Sequence, residues 1–410
     1  MLKKVCISIV VISLIFNVSV CCFAVTFSVD DEKEYFDNLL LPSVTVDASV
    51  SVDTPQLITY GKAVVLMEKS TGKVLYAENE NEKLYPASVT KIMAILLVCE
   101  ALDSGRIKLN DTVQCSDNAA SKGGSQIWLE TGEIMTVDEL LKATCVYSAN
   151  DACTLLGEYV SGSEQSFVEA MNTKAQQLGM SNTHFENCTG LDDTTVNHLT
   201  TAYDIALMSK ELLKHEIVKK YTTIWMDSLR DGETQLVNTN RLVRFYDGIT
   251  GLKTGTTEKA GCCVSATAER NGMELIAVVL GCENSTDRFT TAQNMLDWGF
   301  ANYEIAIPEF DKSTIRPMNV VHGKTDFVEL EVENIASVLI KKGQSDKISV
   351  KIDLPEYIIA PVEQNTAVGK VKVYFEDKVV SEHEIKTKEN VEELNLFSAI
   401  IKLMKSFSEN

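Results

Sequence analysis

Three short words separated by long stretches of chain constrain this fold most: Ser88-Val-Thr-Lys91, Ser148-Ala-Asn150 and Lys253-Thr-Gly255. The second begins 60 residues after Ser88 and the third 165 residues after it. Each is common alone, with a bland reading as a capping serine, a turn or an ordinary strand start. If they act together, the chain must return twice to one place. The flanking residues say what carries each word. Lys91 is followed by the apolar run Ile92-Met-Ala-Ile-Leu-Leu-Val-Cys99, so the first word opens a buried helix. A serine and a lysine three apart lie one turn from each other on one face of that helix. The second word joins a helix around Leu141–Cys145 to one starting near Ala152, and the third begins a strand.

The rest of the chain supplies a scaffold. Lys62–Met67 and Val74–Tyr76, separated by Ser70-Thr-Gly72, read as a hairpin. A helix-rich stretch follows from Ser88 to about Lys220, with helical period in Val137–Cys145, Ala152–Val160 and Ser163–Leu178. Ala260–Ala268 and Met273–Leu280 flank Arg270-Asn271-Gly272, and Asn-Gly is a strong hairpin signal. A helix over Thr290–Trp298 closes the region. Hairpin, helices and further strands predict one sheet whose first and last strands meet, with helices on both faces: an α/β domain over 56–303. Over 304–388 the pattern becomes alternating, as in Val328–Val332, Ile348–Ile352 and Val371–Phe375, which predicts a small β-rich domain. Residues 391–408 carry Leu396, Ile400, Leu403 and Phe407 at helical spacing, with Lys402, Lys405 and Ser408 opposite. That stripe predicts an amphipathic helix lying on a membrane surface, the bland alternative being a helix docked on its own protein.

Residues 1–24 combine Lys3 and Lys4, an apolar run from Val5 to Phe16 and the small-x-small end Cys22-Phe23-Ala24, the pattern of a secretory signal peptide. The chain is therefore expected outside the cytoplasm. Residues 25–55, acidic and without sustained period, read as a flexible mature N-terminus. The formal charge of −20 argues against a nucleic-acid partner. Of the 11 cysteines, eight lie between Cys99 and Cys282, mostly inside apolar stretches, and are expected to be free and buried. No zinc-binding spacing occurs, so no metal is expected.

The order and layout of the three words resemble the serine penicillin-binding proteins and β-lactamases, whose signatures are S-x-x-K, S-D-N and K-T-G. The middle word here has the looser form S-x-N. The likeness is narrower to the low-molecular-mass D-alanyl-D-alanine carboxypeptidases, which also carry a β-rich module and a terminal amphipathic helix after the catalytic domain. Asn182–Asn187 and Gly190-Leu-Asp192 through Asp204 are similar to the loop that family carries beside its active site, and Ala119–Ser125 to its cleft rim. The resemblance implies a β-lactamase/transpeptidase-like catalytic domain, a mixed sheet flanked by helices.

It also implies roles. Ser88 is the nucleophile and Lys91, its pKa lowered by partial burial near other cations, is its base. Ser148 relays a proton, Asn150 donates to the substrate backbone, and Lys253 and Thr254 hold the substrate carboxylate. Gly255 admits the substrate backbone, and the Thr256 N–H joins that of Ser88 in an oxyanion hole. Thr256 departs from those members that carry histidine there. The implied substrate is a peptidoglycan stem peptide ending in D-Ala-D-Ala, β-lactams are the implied inhibitors, and no cofactor is required. Two decoys, Ser70-Thr-Gly-Lys73 and Ser116-Asp-Asn118, stand in a turn and a polar connection. His184 and His198 read as structural, His198 as a loop brace. A β-lactamase is the nearest rival, but no clear deacylating glutamate stands between Ser148 and Lys253. A catalytically silent wall-binding protein would have no need of Ser88, Lys91 and Lys253 together.

Overall fold

Ala63–Glu68 (β1) and Val74–Glu78 (β2) form the first hairpin of the computed structural model, which describes residues 57–401. The expected signal peptide, the expected flexible segment 25–55 and residues 402–408 of the expected terminal helix lie outside the described residues. At the hairpin turn the Glu68 carboxylate accepts hydrogen bonds from the backbone and hydroxyl groups of Ser70 and Thr71 at 2.5–2.8 Å. The decoy Ser70-Thr-Gly-Lys73 is thus spent on its own turn.

Ile249–Thr257 (β3), Gly261–Arg270 (β4) and Met273–Cys282 (β5) complete a five-stranded sheet in the order β2-β1-β5-β4-β3. The first and last strands do meet, Ala63 pairing with Leu280. Asn271 and Gly272 both adopt positive φ (51° and 76°), the two-residue turn that matches strand twist. Every neighbouring pair in this sheet is antiparallel, so the sheet itself is not mixed. The cause is that tight turns join β1 to β2, β3 to β4 and β4 to β5, whereas parallel pairing needs a crossover. The helical region instead links the two edge strands, β2 and β3.

β1 is buried on both faces, and its side chains alternate between two cores. Val64 and Leu66 face the helix Ser285–Asn302 (named α4 below), five residues longer at its start than the apolar pattern implies because Asn284 caps it. Ala63, Val65 and Met67 face the other helices. Chief among these are Lys91–Asp103 (α1), Asn150–Ser161 (α2) and Ala202–Leu212 (α3). Ten of the 13 residues of α1 are buried, consistent with a helix apolar all round. The period expected over Val137–Cys145 divides into an α-helix, Val137–Lys142, and a π-turn, Ala143–Tyr147, which ends with Ser148 in the left-handed conformation. All eight cysteines among the described residues are buried and unbridged.

Beyond α4, the strands Leu330–Val332, Lys378–Thr387, Ala367–Phe375 and Ile348–Asp353 form a four-stranded antiparallel sheet. A smaller sheet pairs Met318–Val321 in parallel with Tyr357–Ile359. The terminal helix begins later than expected. Val391 bridges Val362 and Glu393 bridges Gly323, so residues 391–395 belong to the β-rich domain. Asn395 then caps the helical residues 396–401, its side chain accepting from Ser398 N at 2.9 Å. Leu396, Phe397, Ile400 and Ile401 are exposed on that helix. Among the described residues no helix is long and apolar enough to cross a membrane.

Candidate active site

Ser88 lies in a 3₁₀ turn, Ala87–Thr90, that runs directly into α1. Ala87 holds a positive φ of 49°, and Ser88 is half-buried between a buried Ala87 and a buried Val89. One turn on, Lys91 is fully buried and its Nζ donates to Ser88 Oγ at 2.9 Å. Its other partners are Asn150 Oδ1 at 2.5 Å and the Thr189 carbonyl at 2.8 Å. Burial lowers its pKa from 10.5 to about 8, against the opposing pull of Cys153, Cys188 and Asp151. The expectation that neighbouring cations depress Lys91 is therefore corrected: loss of water is the cause. Repulsion between the two lysines adds to burial in holding Lys253 well below its ordinary value.

The second word is brought to the same place, with a change of partners. Asn150 opens α2 and is buried; its backbone N–H donates to Ser125 O at 2.7 Å and its side-chain amide to Gly123 O at 2.6 Å. Its side chain is thus engaged at both ends, bracing Lys91 against the rim segment, where the sequence reading has it as a donor to substrate. Ser148 is buried with φ at 67°, and Lys91 spends its three bonds on Ser88, Asn150 and Thr189 rather than on it. The decoy Ser116 instead caps the short helix Asp117–Ala120 and donates to Glu158 at 2.6 Å.

Lys253, Thr254 and Gly255 sit within edge strand β3 and are all buried. Lys253 Nζ donates to the Thr254 carbonyl at 2.9 Å, and the Thr254 hydroxyl donates to Thr239 Oγ1 at 2.7 Å. Gly255 packs against the Ser88 turn so closely that a Cβ there would stand 2.8 Å from Ser88 N. That contact lays the third word alongside the first. Thr256 is exposed, and its hydroxyl accepts from Arg288 Nη1 at 2.9 Å.

Two contributors escape sequence reasoning. Arg288, in α4, is buried beneath β3, where it donates to Gly255 O at 3.0 Å and Cys263 O at 3.3 Å. Among the described residues it makes no ion pair and its Nε is buried without a partner, and burial lowers its pKa. The other is the Thr189 carbonyl. Asn187 Oδ1 accepts from the backbone of Thr189 and Gly190 at 3.1 and 2.7 Å, fixing this turn. His198 pins the same loop to the Ser88 turn. Its Nδ1 accepts from Glu186 N at 3.0 Å, so Nε2 carries the proton and donates to Thr90 Oγ1 at 2.8 Å. Burial holds His198 neutral, with its pKa lowered to about 4. The loop-brace reading of His198 matches this geometry.

A half-buried serine hydroxyl beside a desolvated lysine, flanked by an antiparallel edge strand and a buried guanidinium, is the arrangement that serine acyl transfer requires. Comparison with known proteins narrows that class. The D-alanyl-D-alanine carboxypeptidase family matches residues 49–284, and the C-terminal domain of penicillin-binding protein 5 matches residues 310–393. The chain is 42% identical over 355 residues to the D-alanyl-D-alanine carboxypeptidase DacF of Bacillus subtilis, covering 86% of this chain and 91% of the relative. It is 34% identical over 361 residues to DacC of Escherichia coli, covering 86% and 89%. Among solved structures, penicillin-binding protein 5 of Haemophilus influenzae superimposes with a TM-score of 0.69 at 29% identity, covering 83% of this chain and all of that one. The chain belongs to the D-alanyl-D-alanine carboxypeptidase family.

Proposed function

We propose that this protein is a serine-type D-Ala-D-Ala carboxypeptidase that trims peptidoglycan stem peptides and is acylated by penicillin. The observation that carries the reading is Lys91: fully buried, 2.9 Å from Ser88 Oγ, with its pKa lowered to about 8. A lysine so placed is partly free base near neutral pH and can accept a proton. Ser88 Oγ passes its proton to Lys91 Nζ and attacks the carbonyl of the penultimate D-alanine. The oxyanion is received by the backbone N–H groups of Ser88 and Thr256, the tight Gly255 contact keeping the two segments adjacent. The terminal carboxylate lies against Thr256 and Arg288, with Lys253 and Thr254 behind it. Its negative charge offsets the cost of two cations held in a dry site.

Collapse of the intermediate breaks the C–N bond, and D-alanine leaves with the proton that Lys91 took from Ser88, relayed through Ser148, so that Lys91 is a free base again. Asn150 keeps Lys91 directed at Ser88 throughout. Water then attacks the acyl-enzyme, Lys91 again taking the proton, and releases the shortened peptide. A penicillin presents the same carboxylate beside a strained amide and stays on Ser88. Residues 1–24 export the chain, and the exposed apolar start of the terminal helix holds it at the membrane surface.

Peptide mapping after incubation with penicillin tests the acyl-enzyme. The peptide containing Ser88 gains the mass of the intact drug, and Ser88→Ala abolishes that gain. A label on any other residue would overturn the assignment of the nucleophile.

A further inference from the structure

Trp128 is an exposed aromatic that the chain goes to some length to display. It is 73% exposed, while Ile127 and Leu129 on either side are buried. Its φ is +60°, a left-handed conformation that tryptophan rarely adopts and that persists only when its surroundings impose it. The surroundings are visible. Ile127 N and Leu129 N both donate to the carboxylate of fully buried Asp151, at 3.0–3.2 Å. The Ile127 carbonyl accepts from Arg230 Nη1 at 2.8 Å, and Arg230 is itself paired with Glu133. Three residues before Trp128, Ser125 O accepts from Asn150 N. The segment bearing the indole is therefore fastened to the residues that follow Ser148, at the rim of the Ser88 cleft.

We propose that Trp128 is a substrate-binding residue that stacks on the amino sugar carrying the stem peptide. This rests on the carboxypeptidase reading of the site. Four residues of stem separate the scissile bond from the sugar, a span of about 14 Å when extended. Three residues of chain reach up to about 11 Å from Ser125, with the indole beyond them, so the two reaches are comparable. An open ring face favours a pyranose. Its C–H face packs on the indole while its hydroxyls stay in water, whereas an aliphatic side chain needs an enclosing pocket to gain much.

The test compares kcat/KM on an N-acetylmuramyl pentapeptide and on the same pentapeptide N-acetylated without the sugar. The wild type is expected to favour the sugar-bearing substrate by about three- to tenfold. Trp128→Ala loses that preference while its rate on the free peptide and its acylation by penicillin stay within twofold. Trp128→Tyr keeps most of the preference. Trp128→Gly loses it too, yet melts no lower than Trp128→Ala, because glycine relieves the positive φ. Equal losses on both substrates, or no loss on either, would overturn the proposal. A binding measurement separates it from the enzymatic reading: N-acetylmuramyl tripeptide, which lacks D-Ala-D-Ala, quenches indole emission in the wild type and not in Trp128→Phe. If the wild type cleaves neither pentapeptide, the carboxypeptidase reading fails and the quenching result alone decides the role of Trp128.

Discussion

Replacing Gly255 by alanine adds one carbon where its strand meets the Ser88 turn. The new Cβ would stand 2.8 Å from Ser88 N and 2.9 Å from both Ala87 Cβ and Pro86 O, well inside the 3.4 Å of ordinary contact. Two of those neighbours are backbone, so no side chain can swing aside to make room. The Ser88 turn has little freedom to withdraw, because Ala87 already holds a positive φ and Gly190 packs on its carbonyl, where a Cβ would fall 1.8 Å away. The segments must part by some 0.6 Å, the shortfall of that 2.8 Å contact from 3.4 Å. Displacements of about 0.5 Å already spoil catalytic geometry, and one misdirected oxyanion donor costs about 10²–10³ in rate. Overpacking adds about 1–3 kcal/mol of destabilisation. The expected result is acylation by a fluorescent penicillin slowed at least about 100-fold in a protein that still shows a cooperative melt by circular dichroism. Acylation within threefold of wild type, in a normally melting variant, would refute the inference that the Gly255 contact sets the oxyanion hole.

Further outcomes follow from the protonation states. Acylation is expected to rise with pH and level off above about 8, because only neutral Lys91 accepts the Ser88 proton; Lys91→Arg, which cannot deprotonate, falls by more than about 10³ at every pH. His198 has a folded-state pKa of about 4 against 6.5 unfolded, so the unfolded chain alone takes up a proton between those values. Stability therefore declines as pH falls from 6.5 to 4, and denaturant melts of His198→Phe, about 1–3 kcal/mol below the wild type above pH 6.5, lose this component of the slope, so the gap closes as pH falls. Arg288→Met is expected to slow acylation by a carboxylate-bearing β-lactam about tenfold or more, and to leave the methyl ester of the same drug nearly unaffected.

Much of this site is written in residue types that sequence reasoning can use. Ser88 and Lys91 need only a helical turn between them, and their apolar flank reports burial. Asn271-Gly272 announces its own hairpin, and Ser163 and Gly179 bracket a helix as cap and left-handed stop. The groups that stay hidden are of two kinds. Thr189 contributes a backbone carbonyl, which any residue possesses, so its side chain carries no signal. Arg288 reaches the third word from a helix on the opposite face of the sheet, 33 residues from Gly255, and an arginine on an amphipathic helix ordinarily reads as surface. The terminal helix starts later than its residue types suggest for a related reason. Glu392-Glu-Leu-Asn395 has helix-compatible residues, yet the bridges of Val391 and Glu393 to the β-rich domain hold that stretch extended. Tertiary pairing outweighs local propensity there.

The most direct test is whether Ser88 removes a D-alanine. The purified chain, incubated with a muramyl pentapeptide ending in D-Ala-D-Ala and followed by mass spectrometry, should release one alanine per peptide and stop at the tetrapeptide. Ser88→Ala should leave the pentapeptide intact. An unchanged pentapeptide with correctly folded wild-type protein, or equal trimming by the Ser88→Ala variant, would contradict the account.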